Sequence, residues 1–82
     1  MDTPKITIYM TDWCDSCKAT RRFLDLKGVE YETINVDYDE EAAAFVTQIN
    51  AGNRIVPTLE IEGKGVYTNP SRQQLTELLN LV

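Results

Sequence analysis

The sequence contains no histidine and only two cysteines among its 82 residues. Without histidine the chain has no Ser-His-Asp triad, no Cys-His catalytic pair and no histidine ligand for a metal ion. Two cysteines allow at most one disulfide bond, so the chain is not a disulfide-stapled secreted scaffold. These absences exclude the hydrolases and the metal sites that depend on imidazole.

Basic residues are also scarce, with eight Lys and Arg against thirteen Asp and Glu and a net charge of −5. Nucleic acid is therefore not an expected partner, because binding to its phosphates needs clustered Lys and Arg. The start of the chain lacks the features of a secretory signal, and the longest apolar run, at 42–46, is far too short to span a membrane. We expect one soluble cytoplasmic domain over 1–82, in which a disulfide would be transient and chemical.

Hydrophobic periodicity predicts seven elements. Alternation predicts strands over 5–10, 31–36, 58–62 and 66–68, the last two joined by a Gly63-Lys64-Gly65 turn. Helical spacing predicts a helix from the Cys14 region to about Lys27, stopped by Gly28, and a second one from Glu40 to Ile49. Apolar stripes are expected in the second and last helices, at Ala42, Phe45, Val46 and Ile49, and at Leu75, Leu78, Leu79 and Val82.

The last helix is expected to begin with Asn69 as its N-cap and Pro70 at its first position. The resulting order is β-α-β-α-β-β-α. A strand-helix-strand unit implies a parallel pair with a right-handed crossover, and the hairpin adds antiparallel strands. The sequence therefore predicts an α/β fold with a small mixed sheet and flanking helices.

Cys14-Asp15-Ser16-Cys17 is the segment best suited to chemistry. Cys14 is expected near the N-cap of the first helix, where free backbone N–H groups and the positive helix end favour a thiolate. Cys17 is expected about one turn inside, tucked against the helix, as a neutral thiol placed to attack a disulfide made by Cys14. Half of a zinc site and two merely buried small residues are the alternative interpretations.

A second motif, Arg54-Ile55-Val56-Pro57-Thr58, directly precedes the third strand. One interpretation is that Pro57 simply begins a strand, where its missing N–H does no harm. The other is a cis Val56–Pro57 bond, with the backbone of Val56 turned outward to pair with an extended ligand. Within the predicted fold, we favour the cis interpretation.

Taken together, the two motifs resemble the thioredoxin fold and, given the short chain, the glutaredoxin family. More narrowly, the segments 52–58 and 68–71 resemble the mycoredoxins, glutaredoxin-like reductases that use mycothiol. The resemblance extends from Ile6 to the last helix. It implies that Cys14 is the nucleophile, that Cys17 is the resolving cysteine, and that the backbone at Val56 and Pro57 pairs with the substrate.

The resemblance also implies roles for three residues beside these motifs. Trp13 matches the aromatic residue before the active cysteine and is expected at the rim of the groove, or else packed in the protein. Lys18 and Arg54 resemble the family's basic residues near the thiolate, and solvated surface charge is the alternative for both. Arg54 is the stronger candidate because its loop is expected to face Cys14.

The sequence departs from glutathione-dependent members at the start of the last helix. These carry a Gly-Gly pair followed by Asp, which holds the amino-acid end of glutathione. Here Thr68, Asn69, Pro70 and Ser71 stand in that stretch. Hydroxyl and amide groups suit a sugar-based thiol such as mycothiol, so Thr68, Asn69 and Ser71 are candidate thiol-binding residues.

Inside the motif, Asp15 replaces the usual proline or glycine. A carboxylate beside Cys14 repels a thiolate and competes for the same helix end, whereas the Ser16 hydroxyl is able to donate a hydrogen bond to it. We therefore expect Asp15 to make the Cys14 thiolate less favourable than in family members without an acid at this position.

The resemblance implies a thiol-disulfide oxidoreductase that reduces protein mixed disulfides with a low-molecular-weight thiol, mycothiol or glutathione, as its co-substrate and with no bound cofactor or metal. Protein disulfides are further expected substrates, and a monomer is the expected state. One alternative is an electron donor reduced directly by a flavin-dependent thioredoxin reductase, for example one serving ribonucleotide reductase. The other is a dimer that binds an iron–sulfur cluster through Cys14.

Overall fold

A computed structural model describes residues 4–81 of the chain. Its elements follow one another in the predicted order β-α-β-α-β-β-α. They are β1 (Ile6–Met10), α1 (Asp15–Leu26), β2 (Glu32–Asn35), α2 (Glu40–Ile49), β3 (Thr58–Ile61), β4 (Gly65–Thr68) and α3 (Arg72–Leu78). Every element except the last helix begins close to its predicted residue.

The four strands form one mixed sheet in the order β2-β1-β3-β4. β1 is parallel to β2, whereas β3 is antiparallel to both β1 and β4. The carboxyl ends of β1 and β2 therefore lie at the same edge of the sheet as the start of β3 and the end of β4. That edge collects four connecting segments: 11–14, 36–39, 54–57 and 69–71.

Each face of the sheet carries its own hydrophobic cluster, because successive side chains of a strand point to opposite faces. The larger cluster joins β1 and β3 to α1 and α3, and its members include Ile6, Ile8, Met10, Cys17, Leu24, Leu59, Ile61, Leu75 and Leu79. The smaller cluster joins Tyr9 of β1 and Val36 to Ala42 and Val46 of α2. The sheet edge that collects the four connecting segments is thereby supported by helices on both faces.

The hairpin between β3 and β4 is confirmed. Gly63 and Gly65 adopt φ values of +79° and +106°, which a side chain would disfavour. The Lys64 N–H donates to the carbonyl of Ile61 and closes the turn. β4 begins at Gly65, one residue before its predicted start.

The expected start of the last helix is wrong. Ser71 is the N-cap, its hydroxyl oxygen accepting the Gln74 N–H at 3.1 Å, and Arg72 is the first helical residue. Asn69 instead has φ +47° and donates its N–H to the carbonyl of Pro57 at 2.7 Å. Serine is as good a cap as asparagine, and the bond to Pro57 commits Asn69 to the connection after β4.

The apolar stripes are only partly confirmed. Ile49 is 44% exposed because it lies at the last residue of α2, beyond Val46, the last buried member of its cluster. At α3, Leu75 and the C-cap residue Leu79 are buried and Leu78 is half-buried, whereas the predicted contribution of Val82 lies outside the described residues. Within residues 4–81, no helix is long and apolar enough to cross a membrane.

Candidate active site

Cys14 lies at the N-cap of α1, as predicted. Its backbone is extended, with φ −87° and ψ 113°, and its sulfur accepts the backbone N–H of Cys17 at 3.1 Å. The side chain is 8% exposed, so the sulfur lies just below the surface at the positive end of a twelve-residue helix. Backbone donors at a helix start stabilise an anion, which is the charge a nucleophilic sulfur must carry.

Cys17 is completely buried in the larger hydrophobic cluster. The pKa of its thiol is raised from 9.0 to about 12, first by burial and second by the hydrogen bond to the Cys14 sulfur. A backbone hydrogen bond from Thr11 and the charge of Arg21 act in the opposite direction without reversing the shift. At neutral pH Cys17 is therefore a protonated thiol, and both cysteines are free rather than disulfide-bonded.

The loop before β3 faces Cys14 through its backbone. The Val56–Pro57 bond is cis, which confirms the favoured interpretation of this motif. The Sγ of Cys14 lies 3.7 Å from the carbonyl oxygen of Val56. Asn69 fixes the loop from the other side through its bond to Pro57, and no group within residues 4–81 accepts the Val56 N–H. The residue whose carbonyl contacts the sulfur thus keeps a free backbone N–H within the described range.

A hydrogen-bonded cluster of Trp13, Asp37 and Arg54 forms one side of the site. The Trp13 Nε1–H donates to Asp37 Oδ2 at 3.0 Å, and Arg54 Nη2 donates to Asp37 Oδ1 at 2.8 Å and to the Val36 carbonyl at 2.6 Å. Trp13 is 71% exposed, so it lies at the rim rather than packed inside. Arg54 does lie in the loop beside Cys14, but its charge is paired with Asp37.

Sequence reasoning missed Asp37, although a signal for it was available. Asp37 follows β2, and Trp13 follows the neighbouring parallel strand β1. Parallel strands end at the same edge of a sheet, so polar residues just past those ends meet there. A carboxylate after β2 was therefore a candidate neighbour of the cysteine motif.

A shallow cleft of about 190 Å³ separates the start of α1 from the start of α3. Ser16, Asn69 and Ser71 line it together with Arg72, so three of the predicted residues meet around one space. Its apolar wall comes from Phe23, Leu75 and the neighbouring Ala19, Thr20 and Pro70. Thr68 does not line the cleft, because its hydroxyl donates instead to Asn50 Oδ1.

Asp15 and Lys18 are exposed in the first turn of α1. Neither side chain forms an ion pair or a hydrogen bond with any residue of the described range 4–81. The structure thus leaves both charges in solvent close to the sulfur in sequence, without a contact that assigns either a role.

Two further findings bear on ligands. The larger cavity, about 460 Å³, lies at the hairpin end of the sheet between Lys5, Glu60 and Lys64, and it contains none of the predicted site residues. Within residues 4–81, no group of three or more Cys, Asp, Glu or His side chains is arranged to hold a metal ion.

Comparison with known proteins identifies relatives over most of the chain. The family model described as Glutaredoxin matches residues 6–66. Mycoredoxin 1 of Corynebacterium glutamicum is 49% identical over 65 residues, which cover 79% of this chain and 80% of that protein.

Solved structures show the same fold. A mutant of the thioredoxin-like protein BC3987 superposes with a TM-score of 0.78 at 27% identity, covering 94% of this chain and 96% of that one. The glutaredoxin-like NrdH-redoxin of Escherichia coli superposes with a TM-score of 0.74 at 32% identity, covering 90% and 93%. The predicted thioredoxin-like fold is confirmed.

Proposed function

The chain belongs to the glutaredoxin family of thiol-disulfide oxidoreductases, and from this membership we propose that it reduces mixed disulfides between proteins and a low-molecular-weight thiol at Cys14. The observation that carries the proposal is the environment of that sulfur. Cys14 lies at the start of α1 with the Cys17 N–H on one side and the Val56 carbonyl on the other. A nucleophile and a backbone edge for a substrate thus meet at one point.

In the first step, the Cys14 thiolate attacks the small-thiol sulfur of the mixed disulfide. The protein sulfur leaves as a thiolate and takes a proton from solvent, while Cys14 becomes disulfide-bonded to the small thiol. The thiolate of a second small-thiol molecule then attacks that same sulfur and releases Cys14 together with the symmetrical small-molecule disulfide. The substrate protein is thereby reduced by two electrons, and Cys17 takes no part in the reaction.

With a protein disulfide as substrate, the Cys14 thiolate attacks one sulfur of that disulfide and the other sulfur leaves as the first protein thiolate. We propose that Cys17 then resolves the mixed disulfide between Cys14 and the protein. Its thiol loses a proton and attacks Cys14, which releases the second protein thiolate and leaves a Cys14–Cys17 disulfide. The hydrogen bond to the Cys14 sulfur is one cause of the raised pKa of Cys17. Once Cys14 is disulfide-bonded and uncharged, that contribution weakens and deprotonation of Cys17 becomes easier.

The substrate backbone is proposed to pair with Val56. Its N–H is free within the described range, and its carbonyl already points at the Cys14 sulfur. An extended peptide that carries the mixed disulfide would exchange hydrogen bonds with this edge, as strand-adding ligands do. The exposed ring of Trp13 provides a neighbouring apolar surface for the same peptide.

We propose that the small thiol extends from Cys14 into the cleft between α1 and α3. Asn69 and Ser71 bring amide and hydroxyl groups to this cleft, and no carboxylate lines it. The lining therefore offers no anionic partner for the ammonium of an amino-acid end, whereas its hydroxyl and amide groups, together with the Arg72 guanidinium, are able to bond the hydroxyls of a sugar-based thiol. The 49% identity to a protein named Mycoredoxin 1 supports mycothiol as that thiol.

One assay tests these proposals together. A peptide thiolated with mycothiol or with glutathione is offered to the protein, each with its own free thiol and reductase, and release of the reduced peptide is followed. We expect turnover to depend on Cys14 and to favour mycothiol. Preference for glutathione would overturn the assignment of the thiol, and turnover unchanged by Cys14→Ser would overturn the proposed function.

The likeness to NrdH-redoxin, whose described activity profile is thioredoxin-like, favours a second candidate. In that case a thioredoxin reductase would reduce the Cys14–Cys17 disulfide directly, with no small thiol. NADPH oxidation with that reductase and a protein disulfide, in a mixture free of small thiols, distinguishes the two. Rapid turnover there would favour the second candidate.

A further inference from the structure

Asp37 connects the two residues that flank the site on one side. One carboxylate oxygen accepts the Trp13 indole N–H at 3.0 Å, and the other accepts from Arg54 Nη2 at 2.8 Å. The same Arg54 nitrogen donates to the Val36 carbonyl at 2.6 Å. Arg54 is therefore held by two acceptors from the segment after β2.

This ion pair lies beside the loop that contacts Cys14 and outside the cleft between α1 and α3, so it bears on the end of a Cys14-bound thiol that does not enter the cleft. Trp13 directly precedes Cys14 in the chain, and Arg54 lies two residues before Val56, whose carbonyl contacts the Cys14 sulfur. Arg54 is about half exposed and Asp37 about one-third exposed, so the pair faces solvent at the rim. A carboxylate arriving at Arg54 would meet the charge of Asp37 next to the guanidinium.

We propose that Asp37 determines thiol specificity by neutralising Arg54, so that the site disfavours carboxylate-bearing thiols and favours uncharged ones. The inference rests on the proposed function at Cys14 but names a different residue and a different property. Without Asp37, Arg54 would be an unpaired cation at the rim and would attract an anionic thiol. With Asp37 in place, that attraction is cancelled by a carboxylate that belongs to the protein itself.

The test replaces Asp37 by asparagine, which removes the charge and keeps one of the two oxygen acceptors, so that one of the hydrogen bonds from Trp13 and Arg54 is retained. Glutathione and its monoethyl ester, which lacks the glycine carboxylate, serve as reducing thiols against a peptide carrying a 2-mercaptoethanol mixed disulfide. We expect the ratio of kcat/KM for glutathione to that for the ester to rise roughly two- to fivefold in Asp37→Asn, the size expected for one partly exposed charge pair.

Two controls isolate the pair. Asp39→Asn removes an equal charge two residues away, where Asp39 caps α2 by accepting the Ala42 N–H, a role that asparagine fills equally well. It should leave the glutathione-to-ester ratio unchanged. Adding Arg54→Gln to Asp37→Asn should abolish the gain, because the gain requires the unpaired guanidinium.

A binding measurement tests the inference independently of turnover. Trp13 is the single tryptophan of the chain, so its fluorescence reports on this side of the site. Titration with S-methylglutathione and with its ethyl ester should show tighter binding of the carboxylate form only in Asp37→Asn. Equal selectivity in wild type and Asp37→Asn, or the same change in Asp39→Asn, would overturn the inference. A different result would overturn the proposed function and leave the inference standing: neither wild type nor Asp37→Asn turns over with any thiol, yet Asp37→Asn alone binds S-methylglutathione more tightly than its ester.

Discussion

The backbone N–H of Cys17 donates to the sulfur of Cys14 at 3.1 Å, across the first turn of α1. The two cysteines nevertheless differ in exposure. Both belong to the larger hydrophobic cluster, but Cys14 keeps 8% of its surface exposed at the helix start, whereas Cys17 has none. This asymmetry assigns them different chemical roles and leads to the first prediction.

Replacing each cysteine by serine should separate the two reactions. Cys14→Ser should lower reduction of both mixed disulfides and protein disulfides by at least about a thousandfold, as expected when a nucleophile is removed. Cys17→Ser should retain reduction of mixed disulfides within a few fold but lose reduction of protein disulfides, because only the latter needs a resolving thiol. Loss of both activities in Cys17→Ser would contradict the route that uses Cys14 alone.

The raised pKa of Cys17 should make stability fall in alkali. Below pH 9 the Cys17 thiol is protonated in both the folded and the unfolded chain, so it does not make the free energy of unfolding depend on pH there. Between about pH 9 and 12 the unfolded chain loses this proton first, and the free energy of unfolding should fall by about 1.4 kcal/mol per pH unit.

Urea unfolding under reducing conditions at pH 8 to 10 measures this slope. Cys17→Ala is the matched variant, and its slope should be shallower even if its overall stability is lower. The comparison is best confined to this range, because burial and nearby carboxylates also raise the pKa of Tyr9 and Tyr31 above 10.0. Equal slopes in the two proteins would contradict the assignment to Cys17.

Much of the fold could be predicted from the sequence because each element has its own local signals. The alternation of β1, the glycines of the hairpin and the stripe of α2 are local patterns, and the structure confirms the elements they predict. The start of α3 could not be predicted reliably, because Asn69, Pro70 and Ser71 all suit a helix start. The tertiary hydrogen bond from Asn69 to Pro57 decides between them.

The candidate site was less predictable than the fold. The cysteines and Val56-Pro57 are recognisable as motifs, but the partner of a charged side chain depends on tertiary placement. Arg54 and Asp37 are 17 residues apart in sequence and meet only because their segments share one edge of the sheet. Thr68 likewise has hydroxyl chemistry suited to the cleft, yet it bonds to Asn50 instead.

Ser71 provides a test of the helix cap of α3. Ser71→Ala removes the acceptor for the Gln74 N–H and should lower the free energy of unfolding by about 1 kcal/mol, whereas Ser71→Asn should largely preserve it. Thermal or urea unfolding checks this. An equal loss in both variants would show that the cap does not account for the effect.

Asp15 should slow the chemistry of the neighbouring sulfur while favouring the helix. Asp15→Asn should increase the rate of Cys14 alkylation at pH 6 about two- to fivefold, the effect of removing a partly screened like charge, and should lower stability by about 0.3–1 kcal/mol at the helix start. Glu30→Gln is the control, since it removes one exposed charge from the loop before β2. Equal alkylation rates in Asp15→Asn and Glu30→Gln would contradict a local effect.

Trp13 should contribute to binding of protein substrates rather than to the chemical step. Its ring is 71% exposed beside Cys14, where burial under a bound peptide would stabilise the complex. We expect Trp13→Ala to raise KM for a thiolated protein roughly five- to tenfold, as loss of an aromatic anchor does, with little change in kcat or in the rate with a small mixed disulfide. Trp13→Phe keeps a ring but loses the hydrogen bond to Asp37, so its KM should lie between those of the wild type and Trp13→Ala.

Leu26→Ala is the control for Trp13→Ala. It removes a side chain that is 80% exposed at the other end of α1 and should leave KM unchanged. An equal rise in KM for the small mixed disulfide would place the effect of Trp13 at Cys14 itself and contradict a role in docking the protein.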